Sequence, residues 1–174
     1  RPEPSSDTKE LERFDFFKAK VINYQFNEIV NKSNDFHLFD LSYSEGAFIS
    51  KDDIVSSFLL INLKFDMPIF ILDRENLLGG INENTVYKDL DFPRYPDFSK
   101  RFFLGGKRAS EIRSLFDSKL IFFFESHAYF RVETIGKSIL IKGKSRLSSI
   151  QEIKQLLAFS TELMSIINNK YLDK

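Results

Sequence analysis

The chain has 174 residues, 25 acidic and 25 basic side chains, and no cysteine. This length fits one domain with one core, and 43% hydrophobic against 29% charged residues is typical of a folded globular protein rather than a disordered one. The missing cysteines exclude disulfides, thiolate metal sites and cysteine nucleophiles, and no apolar run approaches the roughly 20 residues that a membrane-spanning helix needs.

The N-terminal segment is predicted to lie outside the folded core. Residues 1–12 are polar, with prolines at Pro2 and Pro4, and we interpret them as a tail or linker before a single α+β domain over 13–174. Partial helical spacing in the first part of residues 5–31, followed by the β-type run at 21–26, predicts a short helix and then a strand.

Three strands are predicted next. Residues 36–41 alternate between apolar and polar side chains almost perfectly, which indicates a strand with one buried face. The β-branched and aromatic run at 54–64 predicts a second strand, and the run at 69–72 predicts a third, after the turn at Met67-Pro68. An antiparallel meander is the simplest arrangement of these three strands.

The middle of the chain is predicted to be a loop over 73–99, followed by a short strand at 101–104 that ends at Gly105-Gly106. Helical spacing then predicts a helix over 109–116 and a second one capped by Asp117 or Ser118. The runs at 128–135 and 138–142 predict a hairpin around Gly136-Lys137.

The last element is the clearest helix of the sequence. The run Ser148-Ser149-Ile150-Gln151-Glu152 supplies a capping box, and apolar residues follow on one face: Ile150, Ile153, Leu156, Leu157, Leu163, Met164 and Ile167. The predicted fold class is therefore α+β, with a mainly antiparallel sheet and this C-terminal amphipathic helix packed on it.

The sequence shows no anchor for catalysis. His37 and His127 have no partners at metal-ligand spacing, so we interpret both as structural and expect no metal site and no cofactor. The nucleophile motif G-x-S-x-G is absent. Carboxylate pairs such as Asp52-Asp53 or Asp89 with Asp91 would serve acid–base chemistry only if they were buried together, and solvated turns explain them better.

One local arrangement has a physical argument for anion binding. Gly105 and Gly106, followed by Lys107 and Arg108, stand between a predicted strand and the start of a predicted helix. Glycines allow backbone amides to point outward, the helix N-terminus adds partial positive charge, and the two cations add full charge. The segment is not a nucleotide-binding P-loop, and a plain tight turn is the alternative.

A second basic group lies in the predicted hairpin and just after it, where Lys137, Lys142, Lys144 and Arg146 cluster. A solvated outer strand face explains these lysines, and no aromatic residues interleave with them as in RNA-binding strands, so we do not expect nucleic acid as a partner. The first 90 residues carry excess negative charge and the remainder excess positive charge, which favours attraction between the two halves of one domain.

The order of these landmarks resembles an uncharacterised family of bacterial domains found as the soluble part of membrane-anchored proteins. The resemblance is carried by the runs LFDLSY at 38–43, MPIFILDRE at 67–75, RFFLGG at 101–106 and EIRSLF at 111–116. It covers about three quarters of the chain. It implies a soluble head whose membrane anchor lies in a segment absent from this chain, and it transfers no catalytic residues.

Two functional hypotheses follow from the sequence. The first is a non-catalytic binding or interaction domain of a membrane-anchored bacterial protein, with a protein partner or an anionic ligand. The alternative is a hydrolase or transferase whose site is built from dispersed carboxylates and a histidine, drawn from Asp40, Asp53, Glu75, Asp91, His37 and His127. A deep pocket lined by two or more of those residues would favour the enzyme.

Overall fold

The computed structural model describes residues 6–19, 21–32, 36–45, 54–75, 86–144 and 148–172. These ranges contain, in chain order, α1 (Ser6–Leu11), α2 (Asp15–Ala19), β1 (Val21–Lys32), β2 (Phe36–Glu45), β3 (Ile54–Met67), β4 (Phe70–Arg74), α3 (Pro96–Arg101), β5 (Phe102–Gly106), α4 (Ala109–Leu115), α5 (Ser118–Ser126), β6 (Arg131–Lys142) and α6 (Ile150–Tyr171). None of the described helices is long and apolar enough to cross a bilayer.

The strands form one antiparallel sheet in the order β1-β2-β3-β6-β4-β5. Together with α6, which packs on it, this sheet confirms the predicted α+β class. The predicted meander is wrong at its third strand, because β4 pairs with β6 and β5 rather than with β3. β6 is long enough to pair with β3 along 136–142 and with β4 at Val132 and Glu133, so β3 and β4 follow one another along it.

The predicted hairpin around Gly136-Lys137 is also wrong, because β6 runs without a turn from Arg131 to Lys142. Gly136 has a φ of 57°, which glycine adopts without strain, and it lies opposite Met67. The register shifts between the Asn62–Ser138 pair and the Met67–Gly136 pair. Four residues of β3, 63–66, therefore lie opposite one residue of β6, Lys137. The glycine thus serves a bulge within a long strand rather than a hairpin turn.

The sheet is covered on both faces. Alternate residues of β3 enter two separate apolar clusters: Leu59, Ile61 and Leu63 pack with α4, α5 and α6, whereas Phe58 and Leu60 pack with the N-terminal helices. The expectation that residues 36–41 bury only one face is therefore wrong. Leu38 enters the first cluster and Phe39 enters the second, so both faces of β2 are buried.

The N-terminal helices α1 and α2 belong to the core of the second face. Leu11 and Phe14 are each 1% exposed there, so the segment predicted as a tail over 1–12 already contains a helix and a core residue. The Phe16 N–H donates to both carboxylate oxygens of Glu133 at 3.1 and 3.2 Å, which fixes α2 to β6. A short helix is held here by tertiary contacts rather than by its own propensity.

A buried charged network supports this attachment. Arg131 bonds the Glu133 carboxylate through Nε at 2.8 Å and through Nη2, and it also pairs with Asp73. Burial lowers the pKa of Arg131, but the charges of Glu133 and Asp73 outweigh it and raise that pKa overall. Burial raises the pKa of Glu133, and Arg131 opposes the rise. The pair is hydrogen-bonded at both ends, as a buried ion pair must be.

The C-terminal helix α6 begins as predicted. The Glu152 N–H donates to Ser149 Oγ at 3.3 Å and the Ser149 N–H donates to Glu152 Oε2 at 2.9 Å, which confirms the capping box. Its buried face is formed by Leu156, Phe159, Leu163, Ile166 and Ile167. Of the face predicted from the sequence, Ile150 is 79% exposed, and Ile153, Leu157 and Met164 are only half-buried, so the buried stripe is rotated from the predicted one.

Candidate ligand-binding groove

The structure places the two glycines of the predicted anion-binding segment in β5 rather than in a turn, and Lys107 and Arg108 in the connection between β5 and α4. Gly105 pairs with Ile71 and Gly106 with Phe70 in the sheet, and the Lys107 N–H donates to Ile69 O at 3.1 Å. A Cβ on Gly106 would lie 2.1 Å from Ile69 O and 2.4 Å from Ile112 Cδ1. The expectation of a glycine turn is thus corrected, because this glycine allows close packing of β5 against β4 and α4.

Lys107 and Arg108 do not converge on one space. Lys107 lines a cavity of about 340 Å³ bordered by α2, β4 and β6, whereas Arg108 lines a different cavity of about 610 Å³ next to the end of α6. Arg108 is also paired with Glu111 in the first turn of α4. Anion binding by Gly105, Gly106, Lys107 and Arg108 stays a prediction. The two cations that it would use line different cavities.

The residues named for an enzymatic site are spread over the fold. Asp40 accepts a hydrogen bond from Ser57 between β2 and β3, and His37 lies half-buried on β2. His127 joins α5 to α6 through Glu162 at 2.9 Å. Asp53 falls outside the described residues, and the cavities of about 780, 610 and 340 Å³ are lined by none of the others.

One carboxylate cluster does form. Burial raises the pKa of Glu75, and the nearby charges of Asp89 and Asp91 raise it further. Asp89 meanwhile accepts the Leu104 N–H at 2.9 Å, which ties it to the backbone of β5. Among the residues that the structure describes, no group of three or more His, Asp or Glu side chains is arranged to hold a metal ion.

The largest of the three cavities is an apolar groove of about 780 Å³ between β3 and α6. Its volume falls within the range of about 300–1,000 Å³ typical of small-molecule sites. The β side contributes Phe36, Leu59, Ile61, Asn62, Leu63, Lys64 and Phe65, and the helix side contributes Leu157, Ser160, Thr161, Met164, Ser165, Asn168 and Leu172. We call this the β3–α6 groove.

The bulge in β3 shapes the β side of the groove. In a regular strand only alternate side chains face a neighbouring helix. Here the four consecutive residues 62–65 all line the groove, at the point where β3 departs from its register with β6. The alternation of β3 nonetheless persists through the register shift, because Leu63, Phe65 and Met67 all pack with the first apolar cluster whereas Lys64 and Asp66 between them are exposed.

Small hydroxyl residues shape the helix side. Ser160 and Thr161 stand where larger apolar residues would fill the space, and each donates its hydroxyl to Leu157 O at 2.8 Å. Their hydroxyl donors are thus used within α6, because serine and threonine side chains in a helix can donate to a backbone carbonyl of the preceding turn. The groove wall therefore presents mainly carbon atoms.

One end of the groove is closed by aromatic rings. Phe65 lines the groove, and Tyr171, stacked on it, lines the cavity of about 610 Å³ that also contains Asp66 and Arg108. Burial and the charge of Glu111 raise the pKa of Tyr171. The stacked pair thus separates an apolar groove from a polar cavity.

Sequence reasoning missed this groove. The hydroxyl residues Ser160, Thr161 and Ser165 recur along α6 beside apolar residues, and that spacing was the available signal. It is weak, because a single sequence does not show whether such residues face solvent or another element. Only the bulge in β3 and the rotation of α6 reveal which surface they line.

Comparisons with known proteins add no relative. Neither protein-family models, nor curated proteins, nor solved structures gave a match to this chain. The fold and the groove define an α+β domain in which helices cover both faces of an antiparallel sheet and an apolar groove follows the C-terminal helix.

Proposed function

We propose that this chain is a non-catalytic binding domain that holds an elongated apolar ligand in the β3–α6 groove. The observation that carries the proposal is the groove of about 780 Å³ whose helix-side hydroxyls at Ser160 and Thr161 are bonded to their own helix. A wall that is mainly apolar favours a ligand that is held by apolar contact, at about 25 cal/mol for each Å² removed from water.

The half-buried apolar side chains along the groove support this proposal. Phe36, Phe65, Leu157 and Met164 are partly exposed although they pack against the main core, and Leu172 is 54% exposed. Contiguous exposed apolar surface of this kind is typical of ligand grooves and interaction sites. Methionine adds adaptable contacts, because its flexible thioether fits ligands of varied shape.

The membrane context remains part of the proposal. It is supported by the resemblance to soluble domains of membrane-anchored bacterial proteins, with the anchor in a segment absent from this chain. Expressing the complete gene with a C-terminal tag tests this part, because an anchored product resists extraction from membranes by carbonate. Recovery of the tagged product in the soluble fraction would contradict it.

Binding of the neutral fluorescent probe N-phenyl-1-naphthylamine tests the groove. We expect the probe to bind the wild-type chain and to lose most of that binding in Ser165→Phe, because Ser165 is exposed and lines the groove, so that a ring there occupies the space. The control is Gln155→Phe, which adds the same ring to an exposed position of α6 outside the groove lining.

Circular dichroism of both variants establishes that they are folded. The proposal would be contradicted if the wild-type chain failed to bind the probe. It would also be contradicted if Ser165→Phe bound the probe as well as Gln155→Phe does.

A further inference from the structure

We infer that the ligand of the β3–α6 groove is an extended polypeptide segment of a partner, which adds a strand to the free edge of β3 at 63–66. The inference rests on the proposed function and names the chemical class of its ligand. It follows from where β2 ends, from how the groove meets β3 and from the charges on the outer face of that edge.

β3 extends beyond its neighbour β2. The last pair of the β2–β3 ladder is Phe36 with Ile61, whereas β3 continues to Met67. The neighbours of β3 in the sheet are β2 and β6, so none of the described strands pairs with residues 63–66 on the β2 side. A strand edge of this kind presents backbone N–H and C=O groups with which another extended chain can pair.

The groove opens onto this edge. Leu63 and Phe65 pack on the α6 side of the sheet, and the side chain of Lys64 between them is exposed. The consecutive residues 62–65 nevertheless all line the groove, together with Phe36 where β2 begins. A groove that meets inward and outward residues alike reaches the backbone of β3, in the place that a further strand would take beyond the end of β2.

The shape of the groove fits an added strand. Its helix side extends from Leu157 to Leu172, which is about 22 Å at 1.5 Å per residue, and an extended segment of six residues spans about 20 Å. Such a strand directs every second side chain into the apolar groove and pairs its backbone with β3. An alkyl chain would fill the same space but would leave the edge of β3 unpaired, so the edge favours a polypeptide.

Charge complementarity specifies the outer face of the partner segment. Lys64 and Asp66 are exposed and alternate with Leu63 and Phe65. Every strand pair of the sheet is antiparallel, and a segment that continues this pattern meets Asp66 before Lys64. Opposite charges on neighbouring strands attract. The matching segment therefore carries a basic, an apolar and an acidic residue in that order.

The experiment compares two peptides of identical composition, acetyl-Leu-Lys-Leu-Glu-Leu-amide and acetyl-Leu-Glu-Leu-Lys-Leu-amide. In the antiparallel register the first sets its lysine opposite Asp66 and its glutamate opposite Lys64, whereas the second brings like charges together. Displacement of N-phenyl-1-naphthylamine gives both affinities. We expect the first peptide to bind about three- to tenfold more tightly, because two cross-strand pairs change from attractive to repulsive in the second. Added salt should reduce this preference.

Variants of the chain assign the preference to the edge of β3. The double variant Lys64→Asp with Asp66→Lys should reverse it, and both positions are exposed, so the fold should persist. Ser165→Phe should weaken the binding of both peptides, because it occupies the groove. The control is Lys154→Asp, at an exposed position of α6 outside the groove lining, which should leave the preference unchanged.

Methylation of peptide nitrogens tests the backbone pairing. In an antiparallel pair the N–H groups of alternate residues point toward the neighbouring strand. Methylating the nitrogens of the lysine and glutamate, or those of the leucines, should therefore abolish binding for one of the two sets and be tolerated for the other. Equal tolerance of both sets would contradict an added strand.

The outcomes separate the inference from the proposed function. If the probe fails to bind the wild-type chain, the proposed function itself fails. If the probe binds and dodecanol displaces it but neither peptide does, the groove takes alkyl chains and the inference is overturned. Equal affinities of the two peptides, or a double variant that keeps the wild-type preference, would also overturn it. A wild-type dimer in sedimentation that Ser165→Phe converts to a monomer would place a second copy in the groove instead.

Discussion

The ring of Phe65 lies flat against the ring of Tyr171, with centroids 4.6 Å apart and planes inclined by 5°. Phe65 belongs to the bulge of β3 and Tyr171 is the last residue of α6, so the stack joins the irregular part of the sheet to the end of the helix. The pair fixes the spacing of the two groove walls at that end.

The stack should be measurable as a coupling energy. Phe65→Leu, Tyr171→Leu and the double variant, unfolded in urea, should give a coupling of about 0.5–1.5 kcal/mol, because stacked rings contribute that much beyond the area they bury. Phe65→Leu combined with Phe122→Leu, an exposed ring on α5, should be additive. Additivity within the stacked pair would show that the two rings are independent.

The rotation of α6 changes which leucine holds the core. Leu156 is 1% exposed, whereas Leu157 is half-buried at the groove. Leu156→Ala should therefore cost about 2–5 kcal/mol of unfolding free energy. Leu157→Ala should cost less and should weaken probe binding instead. Equal losses of stability in urea titrations would place both residues in the core and contradict this description of the groove.

Gly106 should not tolerate a side chain. An added Cβ would meet Ile69 O at 2.1 Å and Ile112 Cδ1 at 2.4 Å, and the carbonyl is backbone that has little freedom to move. Gly106→Ala should lower the thermal midpoint strongly or prevent folding. Gly143→Ala is the control, since its added Cβ would lie 3.1 Å from its nearest neighbour, Ser57 O, a far smaller overlap than the 2.1 Å approach at Gly106. A mild effect at Gly106 would be inconsistent with the close packing of β5.

Removing one charge of the buried network should be costly. Arg131→Met leaves the Asp73 and Glu133 carboxylates without their shared cation, and uncompensated buried charge costs about 3–5 kcal/mol. Adding Glu133→Gln to Arg131→Met should recover part of the loss. The control is Arg74→Met, an exposed arginine over the Tyr129 ring, which should change stability by less than about 1 kcal/mol. A small effect of Arg131→Met in denaturant unfolding would refute the structural role of the network.

Asp117 should give the stability a dependence on acid pH. Burial raises the pKa of Asp117, but the Lys170 ammonium and the N–H of Leu120 outweigh it, so the pKa lies below its ordinary value of 3.8. A lowered pKa means that the ionised group stabilises the fold above pH 3.8 and that this stability is lost as pH falls through the folded-state pKa.

Asp117→Asn tests this dependence, because it keeps an oxygen that caps Leu120 N but removes the charge. The wild type should exceed Asp117→Asn in stability at neutral pH, and the difference should vanish at strongly acidic pH. Asp117→Ala also loses the cap, so its free energy of unfolding should be about 0.5–2 kcal/mol lower than that of Asp117→Asn at every pH. A difference between wild type and Asp117→Asn that does not change with pH would rule out the ion pair.

The sequence alone determined the elements whose signals are local. The capping box of Ser149 and Glu152 and the Asp117 cap of α5 are made by residues within one turn of each other, so the pattern and the structure coincide. The alternation along β2 and the helical periodicity of α6 are local as well, and together they predicted the α+β class.

Only the tertiary structure decided how these elements meet. Strand pairing depends on which chain segments reach each other, so β6 between 131 and 142 became one long strand along β3 and β4 instead of a hairpin. The same pairing produced the register shift between Asn62 and Met67, where β3 borders the groove. The β3–α6 groove arises from that register shift and from the rotation of α6. The register shift is set by pairing of residues about 70 positions apart, such as Met67 with Gly136, and the rotation of α6 by packing over about 100 positions, and no local pattern encodes either.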